Sequence, residues 1–135
     1  MNGRRTRLFV AVLLSLLLLG TTLTAGAQSI LPMPRISSLT PTKGPIGTVV
    51  VIKGSGFTPD SNQVNFGSGI IRNLRSYDGQ TLRFAVPSYL EPPCRFASPP
   101  CMIPAVQTRP GEYKVSVTNR YGTSNSLVFT VIVTS

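Results

Sequence analysis

Apolar and polar side chains alternate in short runs along most of this chain. In the run GTVVVIKGSGF, Val50 and Ile52 share one face, with Val49, Val51 and Lys53 on the other. Val64 and Phe66 repeat the spacing in NQVNFGSG. Leu82, Phe84 and Val86 repeat it around an outward Arg83, until Pro87 ends the run. Tyr113, Val115 and Val117 form an inward set against Lys114, Ser116 and Thr118, and Leu127, Phe129, Val131 and Val133 form the last one. Ile36 and Leu39 open the series ahead of the turn PTKGPIG. Period-two runs bounded by Gly, Pro, Asn, Asp and Ser clusters predict strands. About six or seven strands with one apolar face each predict two packed antiparallel sheets. The chain is expected to be all-β.

The first residues break this pattern. Arg4, Arg5 and Arg7 precede a run from Leu8 to Leu19 that is apolar except for Ser15, and a small-residue stretch ends at Ala25-Gly26-Ala27. This is the three-part layout of a secretory signal peptide, with cleavage expected after Ala27. An uncleaved anchor is the alternative, but a spanning helix takes about 20 apolar residues, and here Gly20, Thr21, Thr22 and Thr24 interrupt the run. No cysteine follows the run to carry a lipid. Arg4-Arg5 hints at twin-arginine export, yet Arg7 and Leu8 stand where that motif has an aromatic residue and then leucine. The expected organisation is a signal peptide over residues 1–27, a short linker over 28–33 and one domain over 34–135. Export by the general secretory route places the chain in the periplasm, at the cell surface or in the medium, and only an uncleaved signal would attach it to a membrane.

The full chain carries a net charge of +9. Ten of its 13 basic residues and all four acidic ones follow Ala27, so the balance there is +6. No basic run of the kind found in nucleic-acid tails is present. The charge is compatible with a soluble surface of scattered arginines, or with attraction to anionic surface polymers or nucleic acid. There is no tryptophan, and no cysteine pair is placed to join two sheets, which excludes an antibody-type immunoglobulin domain.

The stretches ISSLTPTKGPIGTVVVIKGSGF, VNFG, LRFAVP and GEYKVSVTNRYGTSNSLVFTV together resemble the IPT/TIG family. The resemblance runs from Pro34 to about Val133, and its most specific part is the opening turn with Pro41, Gly44, Pro45 and Gly47, followed by a strand and Gly54-Ser55-Gly56-Phe57. Pro45 presets φ for a turn, glycines supply positive φ, and Phe57 can plug the sandwich end. The version here is most similar to single repeats of bacterial secreted and surface proteins. The resemblance implies an immunoglobulin-like, early-set β-sandwich of about seven antiparallel strands, with a binding or spacer role and no catalysis. The loop from Leu90 to Pro110 departs from the family by its length and its prolines.

That loop, LEPPCRFASPPCMIP, holds both cysteines. A structural zinc site takes four ligands, and the chain has no histidine and no third cysteine. A redox pair is normally Cys-x-x-Cys at a helix start, whereas six residues separate Cys94 from Cys101. An oxidising compartment permits a disulfide between them, and closing so short a loop is worth roughly 2.5 kcal/mol. Either the staple simply stabilises a long connection, or it presents a rigid recognition loop. Arg95, Phe96 and Arg109 are the candidate contact residues in the second case.

Catalysis finds no foothold in the residue pattern. No histidine offers a general base, no nucleophile elbow or phosphate loop appears, and the four carboxylates Asp60, Asp78, Glu91 and Glu112 are scattered. No cofactor is expected. A nucleic-acid-binding TIG domain is the alternative, but the signal opposes it, and Arg72, Arg75, Arg83 and Arg120 fall on different predicted elements. The reading that remains is a secreted or cell-surface, non-catalytic interaction or spacer module, with a protein or an anionic surface polymer as partner.

Overall fold

The computed structural model describes residue 26, residues 32–94 and residues 102–134. The expected signal peptide therefore lies outside the described residues, Gly26 apart. The chain divides into two units, Met1–Ile30 and Leu31–Ser135, and the account below concerns the second.

Every regular element described is a strand. One sheet is built from β1 (Arg35–Thr40), β3 (Val49–Ser55) and β6 (Thr81–Ala85), in the order β1-β3-β6. The larger sheet runs β2 (Lys43–Gly44), β11 (Leu127–Val131), β9 (Gly111–Asn119), β4 (Asn62–Phe66) and β5 (Gly69–Leu74), with β10 (Gly122–Thr123) folded back onto β9. A separate two-stranded ribbon pairs β7 (Tyr89–Leu90) with β8 (Val106–Gln107).

The alternation decides which faces meet. Val50 pairs with Phe84 and Ile52 with Leu82 in the small sheet, while Val64 pairs with Val117 and Phe66 with Val115 in the large one. All eight are buried, and the two apolar faces close on each other as the sandwich core. Phe66 sits at its centre: Tyr113 stacks on it at 4.7 Å, Phe84 meets it edge-on at 5.8 Å, and Phe129 tilts against it at 6.1 Å.

Several details differ from the pattern read along the chain. Ile36 and Leu39, three residues apart, should point to opposite faces of a regular strand, yet both are buried. A bulge between Ile36 and Ser38 inserts the extra residue that restores the face. The sandwich is not wholly antiparallel, because β2 leaves the small sheet and lies parallel to β11. Val133 is not an inward residue: the last strand ends at Val131, and Val133 is 71% exposed. Tyr113 and Leu127 are half-buried at the margin rather than inside. β5 has no counterpart in the alternating runs, since GIIRNL has adjacent isoleucines and no alternation, as suits an edge strand with little to bury.

Two glycines of the opening motif, one in its turn and one in the strand that follows, do different work. Gly47 has φ +87°, and the turn closes with the Thr48 N–H donating to the Pro45 carbonyl at 3.1 Å. Gly54 has ordinary dihedrals and is needed for space, because a Cβ there would strike the Arg35 carbonyl and the Phe57 ring. Phe57 is buried in the core as expected.

The Tyr113 hydroxyl explains that residue's marginal place. It donates to the Arg109 carbonyl at 2.7 Å and accepts from the Arg109 N–H at 3.0 Å, a tyrosine corner at the start of β9. Tyr113→Phe should keep the stack on Phe66 and lose about 1 kcal/mol for the two hydrogen bonds, read as a lower urea midpoint at unchanged slope.

Candidate functional site

Two surface features stand out, at opposite ends of β6. The first follows Ala85. The chain turns through Pro87 and Ser88 into β7, and the return passes through β8 to Thr108, whose N–H donates to the Ser88 carbonyl at 2.9 Å. The foot of this hairpin is fastened to the sandwich. Leu90 is buried over Gly69, the Ile70 N–H donates to the Glu91 carbonyl at 3.0 Å, and the Arg72 guanidinium donates to the Pro93 carbonyl at 3.0 Å. These bonds also cover the otherwise open edge of β5, which is how an unpaired strand edge is blunted. Tyr89 and Val106 on the hairpin strands, and Met102 and Ile103 ahead of β8, are exposed, Met102 at 92%. A shallow groove of about 310 Å³ between β5 and the foot is lined by Ile70, Ile71, Arg72, Asn73, Pro87, Tyr89 and Glu91.

Of the three expected contact residues, the described part of the structure holds Arg109. Arg95, Phe96 and Cys101 fall outside the described residues. Arg109 is exposed at the foot of the hairpin, where the chain leaves the loop, with its backbone held by Tyr113. No cysteine among the described residues is free; the pairing of Cys94 with Cys101 lies outside them.

The second feature lies at the start of β6, where the chain between β5 and β6 folds round Asp78. The Asp78 carboxylate accepts from the Gln80 N–H (2.9 Å), the Thr81 N–H (2.7 Å), the Thr81 hydroxyl (2.6 Å) and the Ser76 hydroxyl (3.2 Å). The Thr81 hydroxyl first, and then the Gln80 N–H, hold this carboxyl well below the usual carboxylate range. The turn it builds brings Arg75 and Arg83 to one cleft of about 370 Å³, lined also by Tyr77, Asp78 and Thr81. Lys53 joins its margin by donating to Thr81 Oγ1 at 2.8 Å. Along the sequence Arg75 and Arg83 fall on separate elements. No local signal joins them, because one is on a loop and the other on the outer face of a strand. Of the other two arginines considered with them, Arg72 is bonded at the hairpin foot, and Arg120 lies 4.9 Å over the Tyr121 ring.

Residues 34–131 match the family model of the IPT/TIG domain. The chain belongs to the IPT/TIG family. The TIG domain is also similar to part of the crystal structure of gamma-CGTase from Alkalophilic bacillus clarkii, at 28% identity and a TM-score of 0.54. That match covers 74% of this chain and only 12% of the other, so it bears on the fold of one segment and not on the whole enzyme's activity. No curated protein matches the chain. The TIG fold supports a non-catalytic binding or spacer module.

Proposed function

We propose that this TIG domain is an exported interaction module that engages a protein partner at the hairpin-borne loop between Ser88 and Thr108. The observation that carries the reading is the exposure of Tyr89, Met102, Ile103 and Val106 on one hairpin whose foot is hydrogen-bonded to the sandwich. Apolar side chains held on a fixed support lose little entropy on binding, and loops at a sandwich end often carry recognition. Arg109, and with it Arg95 and Phe96 from the sequence, would flank the contact. The layout of the first 27 residues supports export by the general secretory route and delivery to the periplasm, the cell surface or the medium.

A photoreactive residue at Met102 tests the contact. In the exporting cell it should give one discrete protein adduct, with none from the same residue at Ser38 on the small sheet. Absence of an adduct at 102, or the same adducts from both positions, overturns the loop reading. N-terminal sequencing of the exported protein should begin at Gln28, and a retained Met1 would show an anchor instead.

In this reading Cys94 and Cys101 form the staple of the loop. Non-reducing mass spectrometry should find no free thiol and one linked peptide pair. Replacing both by serine should cost at most about 2–3 kcal/mol, because the closed loop is short. The fold should survive, since the β7–β8 pairing and the bonds to Ile70 and Arg72 hold the foot without the disulfide.

A further inference from the structure

We infer that the cleft at the start of β6 is a second binding site, independent of the hairpin loop, and that it takes an acidic polysaccharide with carboxylate-bearing sugar units. Neither the Arg75 nor the Arg83 guanidinium is engaged by a carboxylate or a carbonyl among the described residues, and both are exposed. Lys53 adds a third positive charge beside Thr81. Asp78 is the opposing charge in the cleft, but its oxygens are turned to four donors of its own turn. Three cations against one committed carboxylate leave a positive field over the cleft.

The shape of the site selects within anionic ligands. Tyr77 is 93% exposed, on the turn that Asp78 holds through Ser76, Gln80 and Thr81. An aromatic ring carried on a fixed turn offers a flat apolar face to the C–H face of a pyranose. The guanidinium forks of Arg75 and Arg83 match a carboxylate bidentately. Two forks and one ring suit one or two acidic sugar units of a chain crossing an open cleft. A nucleic-acid strand calls for a row of phosphate contacts and successive stacking rings. Of the residues that line this cleft Tyr77 alone carries a ring, so it offers no succession of stacking platforms.

Titration calorimetry of the purified chain with tetragalacturonate tests the inference, with maltotetraose and tetraglutamate as comparators. Tetragalacturonate should bind and weaken several-fold between about 0.05 and 0.5 M salt, and maltotetraose should not bind. Tyr77→Ala and the double variant Arg75→Gln/Arg83→Gln should each lower the affinity by about tenfold or more. Both should keep the wild-type melting temperature, since all three side chains are exposed. Equal binding of maltotetraose would remove the role of charge. Tetraglutamate binding as tightly as tetragalacturonate, with Tyr77→Ala silent, would make the cleft a general anion patch and overturn the sugar assignment. No binding of tetragalacturonate overturns the site. None of these outcomes touches the crosslink at Met102, so the two sites stand or fall separately.

Discussion

Phe66→Ala is expected to lower the stability of the domain by about 4 kcal/mol, in line with buried phenylalanine truncations elsewhere. The ring is fully buried and is the meeting point of three others: Tyr113 at 4.7 Å, Phe84 at 5.8 Å and Phe129 at 6.1 Å. Those partners come from both sheets, so the cavity would open where the sheets face each other and could not be closed by moving one strand. Phe66→Leu should recover part of the loss, because it keeps apolar volume while losing the ring contacts. Urea unfolding followed by far-ultraviolet circular dichroism measures both. A loss below about 1 kcal/mol for the alanine variant would mean that the two sheets do not close over this ring.

Asn62→Leu should cost about 3 kcal/mol although it preserves shape, because it strands buried polar groups that each carry a desolvation penalty. Asn62 is completely buried at the end of the sandwich away from the hairpin. Its Oδ1 accepts from the Thr58 N–H at 2.9 Å, and its Nδ2 donates to the carbonyls of Thr58 at 2.6 Å and Leu74 at 3.0 Å. Asn119 lies beside it and donates to the Gly56 carbonyl at 2.9 Å. One amide thus ties the connection after β3 to the end of β5, with the end of β9 alongside. Asn65→Ala is the matching control. Its amide donates to Ser116 at 3.0 Å and Thr118 at 2.9 Å on the outer face of the large sheet, where water can replace those bonds. Its cost should stay under about 1 kcal/mol. Equal losses for the two variants would contradict the burial of Asn62.

The unfolding of these variants also bears on what could be read along the chain. Phe66, Val50, Ile52, Leu82, Phe84, Val115, Val117 and Phe129 were all legible as inward residues, and all are buried. A strand that buries one face must place apolar groups at every second position, so the pattern reports the burial directly. Val133 misled because the alternation continues past the point where β9 can pair, which is at Gly111 opposite Val131. β5 escaped because an edge strand has only one neighbour and little face to bury. Asn62 opens the run NQVNFGSG, and nothing local distinguishes it from the exposed asparagines of the chain's turns.

The chain's own order of residues determined the all-β class, the inward face of most strands, the turn at Pro45–Gly47 and, through the same motifs, membership of the IPT/TIG family. Each of these depends on neighbours within a few residues, where pleat, φ preference and burial act directly. Tertiary structure alone decided the bulge that carries Ile36 and Leu39 to one face, the parallel seat of β2, the fastened foot of the hairpin and the meeting of Arg75 with Arg83 beside Tyr77. Those features arise where separate elements converge. Their geometry follows from strand register and from the way the turn at Asp78 closes, and no periodicity along the chain encodes either.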